Sequence, residues 1–214
     1  SRSGRGQARQ VTREVEQDIA NPSVFRVRGL DKSWFLQKGG VLFEAPDPRR
    51  FRLEVQFLDC CFGDQYAGLS RAEQAATTNW MLMVGACRSS WALTGYRDCK
   101  ESGLYFLLHL NYRRSRWRVI GCPHDSVLED VAGNAYTCDP QDGEQFELPA
   151  EQGQVLAVEF ADGELWLMDD RKRAVRCQPA NAEDRAPPRC LSAEPLCPAV
   201  LTPNCDTAFK ATVV

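Results

Sequence analysis

The 214-residue sequence predicts a mainly β protein with one prominent helix. Three observations point there. Short apolar runs alternate with polar residues at a period of two, turn-forming Gly, Asp and Pro separate these runs, and ten cysteines are spread along the chain without any C-x-x-C spacing. Together they describe a disulfide-stapled β-trefoil-like repeat or a β-sandwich, followed by an irregular Cys/Pro-rich C-terminal segment.

Residues 1–22 are expected to form a flexible basic arm, with Arg2, Arg5 and Arg9 among Ser, Gly and Gln, and then a short helix. Val11, Val15 and Ile19 recur at helical spacing behind Thr12 as a cap, and Asn21-Pro22 is a stop, so the helix is placed over 12–20. The β-rich core domain follows over 23–179. Its first strands are read in VFRVRG, WFLQ, VLFEA and the alternating RFRLEVQF, which Cys60-Cys61 closes.

A helical insertion interrupts the core at about 70–84. Ser70 caps it, Glu73 completes the capping box, and apolar residues continue at helical spacing through Leu82. Strand texture then returns. GLYFLLHLNY is apolar enough to be central, RWRVIGC opens the next set, EQFELP follows, and VLAVEF and LWLM are joined by ADGE, whose Asp-Gly is a strong hairpin signal. AVRCQP ends the core. Residues 180–214 are expected to wrap around it without regular structure, because proline is frequent there.

Three segments share a strand-turn-strand-turn-strand pattern: VFRVRG to VLFEA, WRVIGC to NAYTC, and VLAVEF to AVRCQP. A repeat of this size would suit a trefoil or a propeller blade, whereas unrelated hairpins of a sandwich alternate in the same way.

Cys60, Cys61, Cys87, Cys99, Cys122, Cys138, Cys177, Cys190, Cys197 and Cys205 form an even set and are read as structural disulfides of unassigned pairing. Disulfides imply an oxidising compartment: secreted, cell-surface or periplasmic. Any secretory signal is expected to have been removed, since SRSGRGQAR contains no apolar region. No apolar run is long enough to span a bilayer, so membrane insertion is not expected. No cofactor or metal is implied.

With a net charge of −3 and both signs interspersed, any site for a charged ligand has to be local, and nucleic acid is an unfavoured partner. The densest local patch is Tyr112, Arg113, Arg114, Arg116, Trp117 and Arg118, whose guanidiniums would suit sulfate or carboxylate groups in bidentate fashion. His124, in a turn beside Asp125, is the histidine best placed to act as a base or ligand, while His109 lies inside an apolar strand. Together these residues make up the expected ligand-binding stretch. A second basic cluster, Arg171, Lys172 and Arg173, is read as a solvated hairpin tip opposed by Asp169 and Asp170. Trp34 and Trp166 hold matching places after the first turn of two proposed units and are read as core.

No catalytic residue is assigned. Hydrolase, dinucleotide and phosphate-loop motifs are absent, and a cysteine in a disulfide is no nucleophile. Glu159 and Asp162 are one carboxylate pair that a glycosidase could use. The expected function is a secreted or surface-exposed, non-enzymatic binding module for an extracellular glycan or protein. A structural subunit of an extracellular assembly, with possible self-assembly, is the alternative, and a secreted hydrolase with its site near His124 is the second alternative.

Overall fold

The computed structural model describes residues 6–11, 15–27, 39–60, 70, 83–90, 104, 105, 107–111, 116–120, 126–137, 143–149, 151, 153–179, 195–202 and 207–214. In chain order its strands are β1 (Ala8–Val11), β2 (Val15–Gln17), β3 (Val24–Val27), β4 (Gly39–Phe43), β5 (Arg50–Cys60), β6 (Met83–Arg88), β7 (Leu104–Tyr105), β8 (Leu107–Asn111), β9 (Arg116–Ile120), β10 (Ser126–Asp130), β11 (Ala135–Tyr136), β12 (Glu147–Pro149), β13 (Val155–Ala161), β14 (Glu164–Asp169), β15 (Ala174–Pro179), β16 (Leu196–Thr202) and β17 (Thr207–Val213). All pair antiparallel.

A nine-stranded sheet runs β11-β10-β15-β14-β13-β5-β17-β3-β2, and a five-stranded sheet runs β1-β4-β16-β6-β7. The two face each other as a β-sandwich: β5 lies against β16, β13 against β6 and β2 against β4. A three-stranded sheet, β12-β9-β8, extends the second layer, with β8 beside β6. One core fills the space between. Phe51, Leu53, Val55 and Phe57 enter it from β5, Leu156, Val158 and Phe160 from β13, Val84 and Ala86 from β6, and Leu196 and Val200 from β16.

The alternation expected along 50–57 is present in β5, where Phe51, Leu53, Val55 and Phe57 are buried and Arg52, Glu54 and Gln56 are half-buried. The Asp-Gly hairpin is present too. Asp162 and Gly163 both take positive φ, 53° and 81°, which the tight turn between β13 and β14 requires.

Several expectations are corrected. The helix over 12–20 is instead strand β2, with Val15 opposite Val27 and Gln17 opposite Phe25. Val15 is buried and Ile19 is 99% exposed, so the three-residue stripe was too short to distinguish helix from strand. Asp18 accepts from the backbone N–H of Ala20 and Asn21 and turns the chain straight into β3. The described part of the basic arm is not a free tail either. The Gly6 N–H donates to Val213 O at 3.0 Å, and β1 pairs with β4, so residues 6–11 tie one sheet to the other. Gly6 is required there, because a Cβ would collide with the Glu44 carbonyl and the Val213 side chain.

The C-terminal segment also supplies regular structure. β16 is central in the five-stranded sheet, and β17 pairs with both β3 and β5. Pro198 is tolerated in β16 because the β4 ladder begins one residue later, at Ala199, where no proline N–H is needed. The main helix expected over about 70–84 lies outside the described residues except at its ends, and Met83 already belongs to β6. Among the described residues there is no helix. Among the described residues the three proposed repeat units do not share one arrangement: β13, β14 and β15 form one meander, whereas β3 and β4 belong to opposite sheets, and β9 is separated from β10 and β11. The apolar run 104–111, expected to be central, divides into β7 and β8 at the ends of two hydrogen-bonded orders.

The cysteines divide as well. Cys177 is a buried thiol of the main core, opposite Leu128 and Leu165, with no sulfur partner among the described residues. The Cys87 and Cys197 sulfurs lie 3.3 Å apart across β6 and β16, both still free thiols in this structure. Cys60 ends β5, and Cys61, Cys99, Cys122, Cys138, Cys190 and Cys205 lie outside the described residues.

Candidate functional site

Of the expected binding stretch, Tyr112, Arg113, Arg114 and His124 lie outside the described residues. Arg116 and Arg118 are in β9, at register positions opposite Asn111 and His109 of β8 and opposite Pro149 and Glu147 of β12. Trp117 leaves the surface patch altogether. Its side chain is fully buried, tilted against Phe57 with ring centroids 4.5 Å apart, and its Nε1–H donates to Gln154 Oε1 at 3.0 Å. An indole this large gains more from burial than from exposure, provided its one N–H is satisfied, and the buried Gln154 does that. The Gln154 amide is held in turn, donating through Nε2 to Pro149 O at 3.0 Å.

The best-organised surface among the described residues is elsewhere, on the outer face of the nine-stranded sheet. Register places Arg52 opposite Glu159, Glu159 opposite Trp166, Trp166 opposite Arg176, and Arg176 opposite Glu129. Five adjacent strands, β5, β13, β14, β15 and β10, therefore bring these five residues into one lateral row. Trp166, expected in the core, is on the outer face. In β14, Leu165 and Leu167 are the inward residues, and Trp166 shares the outward parity of Glu164 and Met168. The alternation in ELWLMD already contained that signal.

The row is tightly hydrogen-bonded. Arg52 donates through Nε to Glu54 Oε1 at 2.8 Å and through Nη1 to Glu159 Oε2 at 3.0 Å, and Nη1 also lies 3.2 Å from Met168 Sδ. Partial burial opposes its charge, but the two carboxylates outweigh that and raise its pKa further above the usual guanidinium value. Arg176 donates to Glu164 Oε1 at 3.1 Å and Glu129 Oε1 at 3.0 Å, and its Cζ is 5.7 Å from the centre of the Trp166 ring, a cation–π distance. The Trp166 Nε1–H donates to Glu164 Oε2 at 3.2 Å. Two guanidiniums thus meet the four carboxylates of Glu54, Glu129, Glu159 and Glu164, leaving an excess of two negative charges. The excess belongs to this row; Arg50 and Lys210, also on the outer face, are exposed cations outside it. The row offers a fixed, half-exposed indole ringed by donors and acceptors.

The other candidates are used structurally. Glu159 is engaged by Arg52, and Asp162, at the hairpin tip, lies 3.9 Å from Arg50. In the second basic cluster, Arg171 pairs with Glu151 at 2.8 Å and Arg173 with the buried Asp169 carboxylate, as expected of a hairpin tip opposed by acids. Asp169 also accepts from the backbone N–H groups of Arg171 and Arg173, which shapes the turn where Lys172 takes a φ of 62°. Among the described residues no group of three or more His, Cys, Asp or Glu could hold a metal ion.

No protein-family model matches the chain, and no curated protein matches it in sequence. Among solved structures it is similar to the SPRY domain of human HERC1, at 10% identity and a TM-score of 0.51, with 96% of each chain covered. It is similar also to the exoplasmic/lumenal domain of VIP36 in a Ca2+/Man-bound form, at 12% identity and a TM-score of 0.50, with 96% of this chain and 82% of that one covered. A Trypanosoma rangeli sialidase aligns at 12% identity and a TM-score of 0.45 over 29% of its own length. At such identities the first two likenesses are of fold, a β-sandwich in each case, and the third carries no argument.

Proposed function

We propose that this protein is a non-enzymatic binding module whose site is the outer face of the nine-stranded sheet, with Trp166 as its platform and a neutral glycan as its ligand. The observation that carries this reading is the Trp166 ring, held between the Arg176 guanidinium and the Glu164 carboxylate on a five-strand ladder. An indole fixed this way offers an apolar surface for the C–H face of a sugar, and the flanking carboxylates and guanidiniums can exchange hydrogen bonds with its hydroxyls. Little side-chain freedom remains to be lost on binding, because Arg52 and Arg176 are each already held by two carboxylates. The net negative charge of the row around Trp166 favours a neutral over a sulfated or sialylated chain at that ring.

Support from comparison is limited to the architecture shared with the exoplasmic/lumenal domain of VIP36, which was captured with Ca2+ and Man. Stacking on Trp166 requires no metal. The location that goes with this role is the secreted or surface one inferred from the cysteines. No helix among the described residues is long and apolar enough to cross a membrane.

The test is a neutral-glycan array followed by calorimetric titration of the best ligand. Trp166→Ala is expected to weaken binding at least tenfold with an unchanged circular dichroism spectrum. Undiminished affinity in that variant, or no ligand on the array, would overturn the reading. The stretch Tyr112, Arg113, Arg114, Arg116 and Arg118 is retained from the sequence as a second candidate, for an acidic partner, and loss of heparin retention on substitution of the arginines is the corresponding check.

A further inference from the structure

The five-stranded sheet has a second buried face. Val41, Val84 and Val200 point into the main core, while Leu42, Ala199 and Leu201, one residue out of phase, are equally buried. Cys87 and Cys197 belong to this second layer. They are directly opposed in the β6–β16 register, almost wholly buried, and their sulfurs are 3.3 Å apart. We infer that Cys87 and Cys197 are a disulfide-forming pair that joins β6 to β16.

Directly opposed residues of antiparallel strands have Cα atoms about 4.5 or 5.5 Å apart, and both values fall within the window a disulfide accepts. The bond links positions 110 residues apart, so it removes much of the freedom of the unfolded chain. The oxidant is a second disulfide of the glutathione or oxidoreductase class. A Cys87 or Cys197 thiolate attacks it to give a mixed disulfide, and the other cysteine displaces the leaving thiol. Two protons and two electrons thereby leave the pair, and the incoming disulfide departs as two thiols. Burial places this exchange on the folding chain, before β6 and β16 close. Cys177 supplies the internal contrast, since it faces Leu128 and Leu165 across its ladders and stays a thiol.

The full chain, refolded in a reduced/oxidised glutathione buffer, is denatured with N-ethylmaleimide and mapped by chymotrypsin without reduction. Fragmentation separates Cys197 from Cys190 and Cys205. The expected result is a linked pair of peptides joining Cys87 to Cys197, with Cys177 carrying maleimide. Reduction lowers Tm by about 10 °C, and the combined Cys87→Ala and Cys197→Ala variant lacks that part of the fall. Maleimide on both Cys87 and Cys197, either one bonded to a different cysteine, or zinc released on denaturation of the untreated protein would overturn the inference. The wild-type map decides the matter even if the double variant does not fold.

Discussion

The two large sheets solve different problems with the same backbone pattern. In the nine-stranded sheet one face is apolar and the other is a lattice of Arg, Glu and Trp, so its strands alternate. The centre of the five-stranded sheet is buried on both faces: Val41, Leu42 and Phe43 are all buried in β4, and Leu196 through Leu201 in β16. Its central strands β4 and β16 are therefore continuously buried along those runs, the pattern of a sheet covered on both sides. The contrast separates tasks as well. A one-sided sheet can present a binding row, while a two-sided one serves as the anchor through which β1 and β16 lock the chain.

The largest expected effect tests that second buried face. Leu42→Ala should cost about 2–5 kcal/mol, the usual range for a leucine emptied from a core, whereas Met168→Ala on the outer face of the nine-stranded sheet should cost under about 1 kcal/mol. Urea unfolding of the two variants measures this, and equal small costs would dissolve the distinction between the sheets. An intermediate effect is expected where the three-stranded sheet meets the core. Gln154→Leu leaves the buried Trp117 indole N–H without its acceptor, at about 1–3 kcal/mol, again by urea unfolding.

The smallest effect belongs to the rim of the nine-stranded sheet and depends on pH. Asp130 accepts first from Asn134, through side chain and backbone, and also from Tyr136 and Ala132, which holds its carboxyl at about 2. The same bond raises the Tyr136 hydroxyl above its ordinary value. Because the folded value lies below the unfolded one near 3.9, the stabilisation is complete above about pH 4 and is lost as the pH falls toward 2. Urea midpoints of wild type and Asp130→Asn should differ above pH 4 and converge near pH 2. A constant gap across that range would mean that the hairpin is held by shape, without the carboxylate charge.

Legibility in the sequence followed the same division. RFRLEVQF, VLAVEF, ADGE and LWLM announced β5, β13, the hairpin and β14, because one-sided burial writes itself as alternation. LCPAVLT was hidden by its proline, and Val11, Val15 and Ile19 imitated a helix. The binding row was written only as parity: Trp166 shares it with Glu164, but nothing local says that Arg176 and Glu129 lie beside it. Trp117 misled in the opposite direction, because its arginine neighbours suggested a surface while its own side chain went to the core.

By itself, then, the sequence determined that the chain is built of antiparallel β-strands with a turn at Asp162-Gly163, since side-chain period and turn chemistry are local properties. Only the tertiary structure decided which strands share a sheet, which parity faces water, and which cysteines meet. These depend on pairings such as Cys87 with Cys197 and Arg52 with Glu159, 110 and 107 residues apart, whose energies come from burial and register and leave no local trace.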